Sequence, residues 1–140
     1  MPLHNGGMHT SPAPVRTAPL SHLFGSLLLD LVLVIGFTMI GRAQHGEALD
    51  ATGIVDTAWP FVAGLIVAWL VARAWRAPAQ LVWIGLIVWV VTVLVGLALR
   101  VATGDGIAPA LIIVATIVLA VFLLGWRLIA AGIRRVRRAR

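Results

Sequence analysis

The residues of this sequence that could do chemistry are few, and the most informative is an aspartate inside an apolar segment. Asp30 lies within the apolar run of residues 20–41, roughly eight residues and about 12 Å from the cytoplasmic membrane boundary if the run is helical. An aspartate at that depth in a membrane is costly, so it must be protonated, paired or hydrated. Arg127 lies in the last apolar run, about 9 Å from its end when counted back from Ile133. We therefore hypothesise that Asp30 and Arg127 pair across the first and fourth helices.

Such a pair has two possible roles. It could be purely architectural and fix the register of the two helices. Alternatively, Asp30 could be a protonation site that controls the passage of an ion or solute, since acids inside a membrane are often functional. The sequence leaves both roles open.

Other candidate residues lie near the ends of the apolar runs. Arg42, His45 and Arg100 flank helix ends close to four acids, which indicates a salt-bridged rim, although His45 could instead sense external pH. The N-terminal His4 and His9 lack the second pair of ligands that a metal site needs. There is no cysteine, and no hydrolase, metalloprotease or phosphate-binding motif appears. We expect no enzyme activity and no cofactor.

Composition places the chain in a membrane. Of its residues 61% are hydrophobic and only 11% are charged, more apolar surface than a soluble core of this size could bury. The apolar runs predict an all-α integral membrane bundle of four transmembrane helices over residues 20–133, with spans at about 20–41, 57–75, 79–99 and 107–131. Residues 1–19 should form a disordered tail, and residues 134–140 a polybasic tail. The first run could be a cleaved signal peptide, but its length and its aspartate argue against that.

The segments between the runs contain turn and cap signals. Pro60 is expected in the first turn of helix two and Pro78 at the first position of helix three. Asp105 could cap helix four. The long connection after the first run could contain a short helix around residues 47–51. The short segment 73–80 predicts a hairpin, so helices two and three should be antiparallel neighbours.

The arginines predict the orientation. All eleven cations are arginine, and with both termini cytoplasmic nine of them fall on the cytoplasmic side and two on the other. The acids of the loops all fall on the external side. The basic tail should contact anionic lipid headgroups, and a nucleic-acid partner is not expected because the cations sit at the ends of apolar runs. The tail residues are Arg134, Arg135, Arg137, Arg138 and Arg140.

Small and weakly polar residues at helical spacing indicate where the helices pack, because lipid is as apolar as leucine and close approach depends on small side chains. A substrate path along the same faces is the alternative. Trp59, Trp75 and Trp126 lie near span ends, where indole groups anchor in the headgroup region; Trp83 and Trp89 fit that role less well. The predicted packing residues are Gly64, Ala68, Gly85, Thr92, Gly96, Thr116 and Ala120.

The sequence resembles a bacterial membrane family known as domain of unknown function 3054, over about residues 22–131. The resemblance implies a small multi-spanning membrane protein and no particular substrate or residue role. The residues that carry it are Asp30, Gly41-Arg42, His45-Gly46, Thr57-Ala58-Trp59-Pro60-Phe61, Gly64, Thr92, Gly96, Leu99-Arg100 and Gly125-Trp126-Arg127.

Two classes of function are compatible with these features in a bacterial plasma membrane. The first is a transport or channel-like component with Asp30 as its ion-coupled site, similar in plan to the small multidrug exporters, which work as dimers. The second is a non-catalytic scaffold or accessory subunit of a larger complex. Four short spans enclose little volume, so both classes favour a homo-oligomer or a partner subunit.

Overall fold

The protein is a bundle of four α-helices. The computed structural model describes residues 19–77 and 80–140, and within these ranges it contains helices and no strand. Each helix is long and apolar enough to cross a membrane, so the predicted all-α bundle of four spans is confirmed. The helices are α1 (Leu20–Gln44), α2 (Ala51–Ala72), α3 (Leu86–Ala102), which continues a π-helical turn at Leu81–Gly85, and α4 (Pro109–Arg138). The disordered tail predicted for residues 1–19 lies outside the described residues except for Pro19. Pro78, predicted at the first position of helix three, also lies outside them.

Helix α2 begins six residues earlier than predicted, at Ala51. The reason is Asp50, whose carboxylate accepts a hydrogen bond from the Gly53 amide at 3.4 Å and so caps the helix. Pro60 therefore lies inside α2 rather than in its first turn. The short separate helix predicted around residues 47–51 is wrong, because residues 45–50 are not helical.

The other end of α2 is closed by an arginine in the left-handed conformation, Arg73, with φ 49°. The Arg73 amide donates to Leu70 O at 3.3 Å and the Ala74 amide donates to Trp69 O at 3.1 Å. This pair of bonds satisfies carbonyls that the helix end leaves open. The helix therefore stops at Ala72 and not at residue 75, and the chain turns back towards α3.

The predicted cap of α4 by Asp105 is also wrong. Ala108 precedes the helix without a side-chain cap, and Pro109 occupies its first turn, where the missing amide costs nothing. Asp105 instead accepts from the Thr103 hydroxyl at 3.2 Å. Three residues separate Asp105 from Pro109, which leaves its carboxylate in the turn. At its other end α4 continues to Arg138, so most of the basic tail is helical.

The helices pack as a ring in chain order, with α4 closing on α1. Helices α2 and α3 are neighbours, as predicted, and their backbones approach closely at Gly64. A Cβ added there would lie 2.7 Å from Thr92 O and 3.1 Å from Gly96 N. The outer faces expose large apolar residues such as Leu28, Leu70 and Leu94, each at least 60% exposed. Such faces suit acyl chains, so the protein is a multi-pass protein of a lipid bilayer.

Candidate functional site: a buried carboxylate with four donors

Asp30 of α1 and Arg127 of α4 form a buried ion pair. Both side chains are 0% exposed. Nη1 of Arg127 lies 2.8 Å from Oδ1 of Asp30, and Nη2 lies 2.7 Å from Oδ2. These two parallel bonds form the fork geometry in which guanidinium and carboxylate bind most strongly.

Two tryptophans complete the coordination of the carboxylate. Trp69 of α2 donates its indole N–H to Oδ2 of Asp30 at 2.9 Å. Trp126 of α4 donates its indole N–H to Oδ1 at 2.7 Å. Each carboxylate oxygen thus accepts one bond from Arg127 and one from an indole. Because a carboxylate has about four lone-pair sites, Asp30 is saturated.

The surroundings of Arg127 fix its position. Nη1 also donates to Leu123 O at 2.7 Å, one turn earlier on α4. The guanidinium carbon lies 4.4 Å from the centroid of the Trp126 ring, a distance at which a cation is attracted by the ring face. Trp126 therefore contacts both members of the ion pair.

The π-helical turn at the start of the third span makes room for the arginine. Gly85 ends this turn, and a Cβ at Gly85 would lie 3.0 Å from Cδ of Arg127. A larger residue would press on the arginine stem. Short π-helical segments occur often at functional sites, and here the segment lies against the buried ion pair.

The four residues, which we call the Asp30 cluster, lie near one end of the bundle. Trp69 is three residues before the end of α2, or about 5 Å. Asp30 is ten residues from the first residue of α1 and Arg127 eleven residues from the last residue of α4, or about 15 Å in each case. Both helices therefore extend further past the cluster than α2 does.

Sequence reasoning nominated the ion pair and missed the tryptophan donors. The sequence predicts a membrane anchor at Trp126 and no role for Trp69. The sequence does contain a signal that Trp69 faces the interior of the bundle, because Trp69 follows Phe61 and Leu65 at spacings of four on the buried face of α2. A buried indole needs an acceptor for its N–H, and an aspartate inside the membrane needs donors.

The predicted packing residues divide into two groups. Those of α2, α3 and the π-helical turn are buried, namely Gly64, Ala68, Gly85, Thr92 and Gly96. Thr116 and Ala120 of α4 are only half-buried, because α4 turns a neighbouring line of residues inwards at spacings of four. That line consists of Ala115, Leu119, Leu123 and Arg127. Trp89 joins α3 to α4 by donating to Thr116 O at 2.9 Å.

The predicted rim residues lie at the opposite end of the bundle and do not form one network. Arg42 pairs with Glu47 at 2.9 Å and donates to Thr57 Oγ1 at 2.9 Å and to Ala48 O at 2.7 Å. We call this group the Arg42 staple. His45 lies 2.8 Å from Gly41 O through its Nδ1. Among the described residues Arg100 makes no ion pair.

The basic residues of the tail lie at the far end of α4. All five are exposed, Arg134, Arg135, Arg137 and Arg138 within the helix and Arg140 just after it. They lie beyond the Asp30 cluster along α4. A helix end suits cations, because the carbonyls there carry partial negative charge.

Comparison with known proteins assigns a family but no activity. No curated protein and no solved structure matches the chain. Residues 27–130 match a family described as protein of unknown function (DUF3054). This range includes the whole Asp30 cluster, the Arg42 staple and all four spans in whole or in part, and it confirms the resemblance found in the sequence. The chain belongs to this family.

Proposed function

We propose that the protein is a non-catalytic membrane scaffold or accessory subunit, in which the Asp30 cluster fixes the arrangement of the helices. One observation carries this proposal: Asp30 accepts four hydrogen bonds and is 0% exposed. A site that binds and releases an ion needs an open acceptor. A proton or cation could reach Asp30 only by breaking one of these bonds and weakening the pairing of a buried arginine, which is costly.

The cluster joins three of the four helices. Asp30 contributes from α1, Trp69 from α2, and Trp126 and Arg127 from α4. A polar network in which every member is satisfied specifies one arrangement of the helices around it. The exposed apolar faces outside this arrangement are then available to lipid, to a second copy of the chain or to a partner subunit.

The proposal includes a topology, with both termini in the cytoplasm of a bacterium and the spans in its plasma membrane. The uneven distribution of arginines supports it. The Arg42 staple then lies outside, and the Asp30 cluster lies in the cytoplasmic half. The basic end of α4 contacts anionic headgroups. Reporter fusions test this topology: fusions at residues 50 and 140 should report opposite compartments, and a shared compartment would refute it.

A transport or channel-like function is the second candidate, and one observation favours it. The cluster lies about one helical turn from the end of α2 and against the π-helical turn of the third span. Displacement of the last turn of α2, which contains Trp69, would open Asp30 to water from that side. Asp30 would then act as an ion-coupled site that is closed in this structure.

Two measurements on the purified full chain separate the candidates. As a scaffold, it should appear by native mass spectrometry in a mild detergent as a defined oligomer or heteromeric complex. In proteoliposomes it should neither speed the collapse of a pH gradient nor move ethidium, a cationic probe. A transporter should do one of these, and Asp30→Asn should abolish the flux. A folded monomer with flux that depends on Asp30 would overturn the scaffold proposal.

A further inference from the structure

The last turns of α4 have an exposed apolar face that ends in arginines. Ile129 is 66% exposed, Ile133 50% and Val136 58%. Gly132 lies between them, and a Cβ at that position would meet nothing within 4 Å. The result is a shallow, open depression of about 480 Å³, lined by Ile129, Gly132, Ile133, Val136, Arg137 and Arg140.

The arginines of this segment are divided between two sides of the helix. Arg137 and Arg140 line the depression. At 100° per residue, Arg135 and Arg138 point about 120° or more away from its centre. Arg137 lies in the last turn of α4 and Arg140 two residues after the helix ends, and because both line the same depression, one phosphate group bound there can contact both guanidinium groups.

We propose that this depression binds one anionic phospholipid, with an acyl chain along Ile129, Ile133 and Val136 and the headgroup phosphate between Arg137 and Arg140. The inference deepens the lipid contact proposed above and depends on it. Two features favour a lipid: the apolar face continues the lipid-facing side of the span, and the positive charge stands at its end. Because the partial negative charge of the α4 C-terminus opposes an anion, both guanidinium groups are needed.

The experiment titrates the purified full chain in a mild detergent with phosphatidylglycerol or phosphatidylcholine of identical acyl chains and counts bound lipids by native mass spectrometry. We expect phosphatidylglycerol to bind at least tenfold more tightly. Each arginine should contribute roughly fivefold to this preference. In Arg137→Gln/Arg140→Gln the preference for phosphatidylglycerol should therefore fall by about 25-fold, or disappear if it is smaller than that in the wild type. The matched control, Arg135→Gln/Arg138→Gln, loses the same charge and should keep the preference.

A third variant tests the apolar half of the site. Gly132→Leu keeps every charge and fills the depression, so it should weaken the binding of both lipids. Equal losses of the phosphatidylglycerol preference in the two double variants would indicate nonspecific electrostatic attraction between the basic tail and the lipid, and would overturn the proposal. Displacement of the lipid by inorganic phosphate at millimolar concentration would also overturn it, because the acyl chain would then contribute nothing. Neither a partner subunit nor flux enters this measurement, so its failure is distinguishable from failure of the scaffold proposal.

Discussion

The two ends of the bundle each contain an arginine that binds a carboxylate, and they differ in their environment. Arg127 and Asp30 are completely buried and bonded by a fork. In the Arg42 staple the arginine side chain is 13% exposed, and its partner Glu47 is 52% exposed. A second acid beside the staple, Asp50, has its Oδ1 3.8 Å from Nη2 of Arg42.

From this difference we expect burial, rather than the type of ion pair, to set the consequence of losing one partner. Removing one member of a buried pair leaves an uncompensated charge that water cannot reach, whereas a surface pair exchanges one polar partner for water. The Asp30 cluster should therefore hold the helices together. The Arg42 staple should order mainly the α1–α2 connection.

The largest effect is expected from breaking the buried pair. Asp30→Asn or Arg127→Gln should each destabilise the bundle by about 3–5 kcal/mol, because the remaining charge stays buried without its partner. The measurement is equilibrium unfolding of the purified chain in mixed micelles with increasing denaturing detergent, followed by circular dichroism.

The control is the double variant Asp30→Asn/Arg127→Gln, which buries no charge. It should be considerably more stable than the sum of the two single losses predicts. Strictly additive losses would mean that the two side chains do not interact, and the comparison between the two ends of the bundle would fail.

The tryptophan donors should have the next largest effect. Trp69→Phe removes one of the two bonds to Oδ2 of Asp30, and Trp126→Phe removes one of the two bonds to Oδ1. A hydrogen bond to a charged group contributes about 1.5–3 kcal/mol, and each variant should lose that amount in the same unfolding measurement. The matched control is Trp83→Phe, since Trp83 is 73% exposed and should change stability by less than about 0.5 kcal/mol.

A larger residue at the close approach of α2 and α3 tests how far the stability of the bundle depends on packing away from the Asp30 cluster. Gly64→Ala places a Cβ 2.7 Å from the backbone oxygen of Thr92, which cannot yield as a side chain would. The helices must separate, at a cost of about 1–3 kcal/mol, and Trp69 moves with α2. Gly36→Ala is the control, because a Cβ there meets nothing within 4 Å. Equal stability of the two variants, measured by unfolding in micelles, would contradict this packing.

Sequence reasoning predicted the parts of the structure that depend on hydropathy and failed where geometry decides. The four spans and the hairpin between α2 and α3 follow from apolar length and loop length. The early start of α2 could not be read from hydropathy, because Asp50 and the polar residues after it look like a loop. Arg127 and Asp30 could be proposed as partners from depth alone. The indole donors could not, since the rotation of α2 about its axis decides whether Trp69 faces lipid or Asp30.

The smallest effect is expected from the Arg42 staple, and it differs in kind as well as size. Arg42→Gln removes the pair with Glu47 and bonds to Ala48 O, but water reaches this site, so the global loss should be about 1 kcal/mol. Salt should reduce the difference in stability between the wild type and Arg42→Gln, because exposed charges are screened, whereas salt should barely change the stability loss caused by Asp30→Asn.

A second measurement is limited proteolysis, in which cleavage within residues 45–50 of Arg42→Gln should accelerate before any global unfolding. A salt-insensitive loss as large as that of Asp30→Asn would mean that partial exposure does not weaken the staple, and burial would no longer explain the contrast between the two arginines.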